Sequence, residues 1–370
     1  MGKGGGVDAG RKTFHPGRRV VQSMTELLEE ISQQPAALSG LRKFYASPGA
    51  IPARVLRSLA PHWPPTVVFT GMGSSLFAAY PAQAYLTEQG VRALVWETAE
   101  LVHHHLKVLR PDTLLVVVSQ SGQTAEVLRL LESLPAKARV LAVTNVEASP
   151  LAKRGSLLLP MMAGEQVAVS TKTYTCSVAV LMYLAFAIAG KALSPLTQEV
   201  MRAAEIEEKI LERREVLIPP IVEFFNRPPY VALMSRGADL ATAYQGALML
   251  KEVARLAAEP ISAAQFRHGP MEIINPNHRY VLFARQGKTG KLLLKLAGDI
   301  RKSSGRVLLF TDMPFGDPMN MRLVRVEPLR LGLGTLVDNV YVQLLAYDAA
   351  LRAGFQPGKF EIAEHVTREE

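Results

Sequence analysis

Apolar residues recur along this chain in short, nearly unbroken runs, separated by stretches of helical periodicity. The segments 66–70, 91–96, 113–118, 140–144 and 157–160 each have the length of a short strand, and the unbroken run 114–118 reads as buried on both faces. Between them, 74–88 and 125–134 read as helices, so the alternation predicts a parallel sheet with helical crossovers. A long helix follows from about 173 to 189, and charged, helix-forming sequence fills 197–216. Upstream, 23–31 reads as a helix with Ser23 as N-cap and Glu26 three positions later completing a capping box. Gln34-Pro35 either ends that helix or opens a new turn.

The pairs Pro219-Pro220 and Pro228-Pro229 punctuate the passage into a second unit that repeats the first. Tyr230-Val231-Ala232-Leu233-Met234 parallels 66–70, and Tyr280-Val281-Leu282-Phe283-Ala284 parallels 114–118. Arg306-Val307-Leu308-Leu309-Phe310-Thr311-Asp312 echoes Arg139-Val140-Leu141-Ala142-Val143-Thr144-Asn145. One match between buried strands is chance; three in the same order argue for a repeat. The fold class expected is α/β, with two domains that each carry a parallel sheet covered by helices on both faces. The boundaries expected are a disordered basic tail over 1–19, an N-terminal helical segment over 20–50, a first domain over 51–200, a helical connector over 201–222, a second domain over 223–353 and a C-terminal tail over 354–370.

A chain of 370 residues with 48% hydrophobic and 20% charged residues supports two large cores. Cys176 is the single cysteine, which excludes an intramolecular disulfide and a cysteine-based zinc site and points to a reducing, cytoplasmic setting. The glycine-rich start has no apolar segment of the signal-peptide kind, and the longest apolar stretch, 176–190, is short for a bilayer, so a buried helix is expected and no membrane partner. The formal net charge is +9, with Lys3, Arg11, Lys12, Arg18 and Arg19 opposed by Asp8 near the start. That tail reads as a solvated end and not as a nucleic-acid arm, and the basic balance suits a small anionic substrate.

The chemistry concentrates where strands end. Ser119-Gln120-Ser121-Gly122-Gln123-Thr124 follows the apolar run 114–118 and precedes a helix. Ligands of open parallel sheets sit beyond the carboxyl ends of strands. The first N–H groups of the following helix lack internal partners and carry partial positive charge, which suits phosphate. Ser119, Ser121 and Thr124 add hydroxyls, Gln120 adds an amide, and Gly122 permits close backbone approach. Thr70-Gly71-Met72-Gly73-Ser74-Ser75 joins another strand to a helix in the same manner. Leu76 breaks a dinucleotide fingerprint, and Leu282 stands where a Walker A loop ending in Gly287-Lys288-Thr289 needs its first glycine, so nucleotide binding is not indicated. Helix capping alone explains one such loop; two at equivalent strand ends point to a ligand.

These two loops, with Val169-Ser170-Thr171-Lys172-Thr173-Tyr174-Thr175, Gly246-Ala247-Leu248-Met249-Leu250-Lys251-Glu252 and Phe266-Arg267-His268-Gly269-Pro270, resemble the sugar isomerase (SIS) family over roughly 24–370. They resemble in particular the double-SIS isomerase half of glucosamine-6-phosphate synthase and stand-alone relatives such as glucosamine-6-phosphate deaminases and fructosamine-phosphate deglycases. The resemblance implies that Ser119, Gln120, Ser121 and Thr124, with Ser74 and Ser75, hold the sugar phosphate, and that Gly73, Ser170 and Glu364 lie near the sugar. It also implies that Glu252 moves a proton between C1 and C2, and that His268 opens the sugar ring from the neighbouring subunit of a homodimer. The C-terminal tail is then expected to close over the active site. A carboxylate and a histidine suit those two proton transfers, and no metal or organic cofactor is required. Outside the resemblance, the preferred reading of Glu252 is half of a Lys251/Glu252 surface pair and that of His268 is a loop histidine bonded to backbone.

Departures from that pattern bear on the reaction. Gly2, not cysteine, follows Met1, so no glutaminase nucleophile is expected and nitrogen should not come from glutamine. Glu364 stands where the synthase-type tail places an imine-forming lysine, and Gln245 and Met249 replace charged residues on the helix of Glu252. These changes are compatible with deamination or isomerisation of an amino-sugar phosphate such as glucosamine 6-phosphate, giving fructose 6-phosphate and ammonia. A deglycase, a plain aldose–ketose isomerase and a phosphosugar-binding regulator remain as alternatives. His103-His104-His105 are adjacent on an expected helix and point apart, so they read as surface or cleft lining and not as a metal site.

Overall fold

The computed structural model describes residues 25–47, 66–167, 169–316, 319–362 and 367. The expected N-cap Ser23, the basic tail and Glu364 lie outside them. The first helix starts later than its sequence suggests, at Glu26–Ser32, because Thr25 adopts the extended cap conformation and its hydroxyl accepts the Leu28 N–H. Gln34-Pro35 opens a second helix, Gln34–Ala46, with proline in the first turn, where no N–H is needed.

Two five-stranded sheets follow. The first orders its strands β2-β1-β3-β4-β5, with β1 Thr66–Gly71, β2 Arg92–Glu97, β3 Thr113–Val118, β4 Arg139–Thr144 and β5 Leu157–Pro160. The second orders β10-β9-β8-β6-β7, with β6 Val231–Ser235, β7 Ala258–Ser262, β8 Arg279–Ala284, β9 Arg306–Thr311 and β10 Met321–Arg325. Every pairing is parallel. Read from the opposite edge, the second order matches the first strand for strand, as the repeat in the sequence requires.

Helices join the sheets into one body. Every residue of Lys172–Ile188 except Ala187 is buried, and this helix packs against Gln34–Ala46 and Tyr80–Glu88. Among the described residues, no helix is long and apolar enough to cross a membrane. The charged stretch after 194 forms Ser194–Glu212, whose apolar stripe packs on Gln34–Ala46 and on the helix Gly334–Arg352. The largest core cluster draws side chains from both units, so the two sheets share apolar packing.

Candidate functional site

In the first sheet β1 lies between β2 and β3, and the order reverses direction at β1/β3. The helices leaving these two strands turn to opposite sides and open a crevice at their carboxyl ends. Register pairs Thr70 with Val117, so the 72–75 and 119–124 loops emerge side by side.

Backbone demands shape both loops. A Cβ on Gly71 would come within 2.9 Å of the Val118 carbonyl and 3.0 Å of the Leu76 N–H. Gly122 has φ +64, and a Cβ there would lie 2.3 Å from Ser149 Oγ. Ser119 Oγ accepts the Gly122 N–H at 3.1 Å, and Ser121 Oγ accepts the Gln123 N–H at 3.3 Å. Each hydroxyl therefore keeps its proton for a ligand. The Gln120 carbonyl accepts from Asn145 N at 3.1 Å and from Thr144 Oγ1 at 3.1 Å, which pins the loop to the end of β4. Thr124 is the extended N-cap of Ala125–Ser133, and its Oγ1 is buried with no partner among the described residues.

These loops line a cavity of about 360 Å³ with Ser74, Ser75, Ser119, Gln120, Ser121, Thr124, Gly73, Ser170 and Glu252, nine positions expected from the sequence. Glu252 ends the helix Leu240–Glu252, which leaves β6 in the second unit and packs on Ser74–Phe77 of the first. The site is thus built between the two repeats. Burial pushes the Glu252 carboxyl up to about 7, against the opposing pull of Lys251. It is the one titratable side chain among the described residues lining the cavity, and no lysine, arginine or histidine joins it there. Met72, Val118, Val169, Thr173 and Leu248, all within segments singled out in the sequence, also line it, and Gln166, Phe360 and Thr367 complete the wall without a signal in sequence spacing. The Thr367 carbonyl accepts the Ala125 N–H at 3.2 Å, so a residue of the C-terminal segment touches the start of the helix that follows the 119–124 loop.

His268 is not brought to this cavity within one chain. It follows the short helix Ala263–Phe266, is exposed, and bonds through its N–H to the Gln265 carbonyl. His103 to His105 lie on one π-helical turn after β2, with successive ring centroids 6.2 Å apart and planes at 56° and 65°. His105 packs on Trp96, and His103 and His104 are exposed. Among the described residues no group of three His, Cys, Asp or Glu is placed to hold a metal.

The model of the SIS domain matches this chain twice, over 63–189 and 225–353. The chain belongs to the SIS-domain family. Its relatives include glutamine–fructose-6-phosphate aminotransferase (isomerizing) of Thermococcus kodakarensis, 29% identical over 93% of this chain and 58% of that protein. The enzyme of the same description from Thermus thermophilus is 30% identical over 70% of this chain and 44% of its own length. The chain therefore spans about half the length of these relatives. Among solved structures, the C-terminal domain of glucosamine-fructose-6-phosphate aminotransferase from Francisella tularensis superimposes with a TM-score of 0.83 at 21% identity, covering 90% of this chain and 98% of that one. The glucosamine-6-phosphate deaminase of Thermotoga maritima gives 0.72 at 21% identity, covering 93% of this chain and 100% of that one. Two SIS units on one chain account for the doubled sheet, and the cavity is lined by residues of both.

Proposed function

We propose that this chain is a phosphosugar isomerase and deaminase that converts glucosamine 6-phosphate and water to fructose 6-phosphate and ammonia. The observation that carries this reading is one cavity that, among the described residues, holds a hydroxyl-rich cradle without a cation and a single carboxylate with its pKa near neutrality. The cradle suits a phosphate bound by dipoles. A dianionic phosphate beside a carboxylate is poorly balanced unless positive charge enters with the substrate, and an amino sugar brings it. The names of the Thermotoga and Thermus proteins point to the same substrate class.

In the open-chain aldehyde form, Glu252 takes the C2 proton, the electron pair forms the C1–C2 double bond, and the C1 oxygen takes up a proton given up by the 2-ammonium group, which leaves the enol. Return of the first proton from Glu252 to C1 leaves an iminium at C2. Water adds at C2 and the C–N bond breaks, releasing ammonia with the excess proton as ammonium and giving the ketose. A carboxylate with a pKa near 7 suits both directions of proton transfer at neutral pH. Ring opening is assigned to His268 of a second copy of the chain, since His268 is exposed and away from its own cavity; the active species is then a homodimer, acting in the cytoplasm. The C-terminal segment over 354–370 closes the site, in keeping with Phe360 and Thr367 in the cavity wall. Glu364 in that segment cannot form an imine, which favours a substrate that already carries its nitrogen.

The test is ammonia release from purified protein given glucosamine 6-phosphate, with unphosphorylated glucosamine as control. Release confined to the phosphorylated sugar is expected. Ketose formation from an aldose phosphate without ammonia release would instead identify a plain aldose–ketose isomerase.

A further inference from the structure

Ser170 sits in the turn between β5 and the helix Lys172–Ile188, and no sheet ladder holds that turn. Gln166 holds it instead. Its side chain is 7% exposed, and Oε1 accepts the Thr173 N–H at 2.9 Å and the Thr171 N–H at 3.4 Å. Nε2 donates to the Val169 carbonyl at 3.0 Å. The Thr173 N–H is one of the donors left over at the start of a 17-residue helix whose N-cap, Thr171, makes no side-chain cap bond. The Gln166 carboxamide therefore caps this helix from outside and brackets Ser170 from both sides. Gln245 Nε2 adds a bond to the Ser170 carbonyl at 3.1 Å, and Ser170 Oγ meets Thr173 Oγ1 at 2.9 Å.

Gln166 has a second place in the molecule. It lines the 360 Å³ cavity and also a neighbouring cavity of about 370 Å³ that contains Asn145, Glu147 and Glu165. Gln120 is the other residue shared by the two, so the pair forms a partition. Among the described residues, the bonds of the 119–124 loop run within it, into the helix that follows it, to Val143, Thr144 and Asn145 at the end of β4 and to Leu151, and none involves Gln166.

We infer that Gln166 is the positioning residue of the sugar half of the site: it sets Ser170 and walls the cavity at the size of one hexose phosphate, independently of the phosphate half. This role rests on the phosphosugar reading above.

The experiment compares the dissociation constants of inorganic phosphate, glucosamine 6-phosphate and fructose 6-phosphate for the wild type, Gln166→Ala and Gln166→Glu. The ratio of phosphate to fructose 6-phosphate isolates the sugar half in both variants, because a charge introduced beside the cradle acts on these two ligands alike; glucosamine 6-phosphate, which brings its own positive charge, is compared only between the wild type and Gln166→Ala. In Gln166→Ala the preference for sugar phosphate falls about tenfold or more while inorganic phosphate binds within about twofold of wild type. Gln166→Glu keeps acceptors for Thr171 and Thr173 and restores most of the preference. Amide exchange at Thr171 and Thr173, faster in Gln166→Ala and near wild type in Gln166→Glu, reads the same turn without a ligand. An unchanged preference in Gln166→Ala overturns the role alone. Absence of any preference in the wild type overturns the phosphosugar reading and the role together. Loss of inorganic phosphate binding in parallel with sugar phosphate, or no rescue by Gln166→Glu, shows a general structural residue and also overturns it.

Discussion

Glu252 carries the proposed chemistry because two features act on one carboxyl. It closes a helix that reaches across from the other repeat, and burial lifts it to about 7. Replacing it by glutamine keeps the shape and removes the base; turnover should fall by about 10²–10⁴ with phosphosugar binding retained, read as kcat against a directly measured Kd. The pH profile follows from the sign of the shift. Only the deprotonated carboxylate accepts the C2 proton, so kcat/KM of the wild type should rise with pH through about 7, and that limb should vanish from whatever activity Glu252→Gln retains. A limb at the ordinary carboxylate value would remove Glu252 as the base. The phosphate-loop serines, Ser170 and Glu252 were legible in the sequence because they stand at strand and helix ends in recognisable strings. Gln166 was not: it is a lone glutamine in a loop, and its three partners gather only when the turn after β5 folds back.

At the scale of elements, the 119–124 loop, the proposed phosphate cradle, depends on a left-handed glycine packed against the next β-α turn. Gly122→Ala should cost about 1–2 kcal/mol from the backbone alone, with the contact to Ser149 added, and should weaken inorganic phosphate binding. A lower melting temperature with unchanged phosphate affinity would separate the loop from the ligand. The same comparison of elements explains what the sequence hid. β7, Ala258–Ser262, contains Glu259 and Pro260 and pairs only with β6, and β10, Met321–Arg325, carries Arg322 and Arg325 and pairs only with β9. Edge strands carry charge and tolerate proline, so their hydrophobic signal is weak, whereas the buried β3 and β8 announce themselves. In the second unit the strand ends that correspond to the cradle are filled from within. Arg285, after β8, binds the fully buried Asp338 through two contacts at 2.6 and 3.0 Å. Removing one partner of so buried a pair strands the other, so Asp338→Ala should cost about 3–5 kcal/mol in denaturant unfolding.

For the whole molecule, the repeat was readable from three pairs of strands, but the packing that unites the repeats was not, because it rests on helices whose charged residues read as solvent-facing. Glu207 on Ser194–Glu212 is the clearest case. It is fully buried, both carboxylate oxygens lack partners among the described residues, and burial pushes its pKa well up. A folded-state pKa raised above the unfolded one stabilises the fold fully below the unfolded value of about 4.3, and that stability is lost as pH rises through the folded value. Glu207→Leu, of similar bulk, should therefore be more stable than the wild type by a margin that widens from acid toward neutral pH, measured as urea midpoints across that range. A margin that narrows as pH rises would show that Glu207 has a compensating partner.

The central claim is that this cavity moves the C2 proton of a sugar phosphate through Glu252. The most direct measurement follows the C2–H signal of glucosamine 6-phosphate by proton NMR in D2O with wild type and with Glu252→Gln. The proposed mechanism requires the signal to disappear with the wild type and at least about a hundredfold more slowly with the variant, while unphosphorylated glucosamine keeps its signal in both. Equal rates of loss in the two proteins would contradict it.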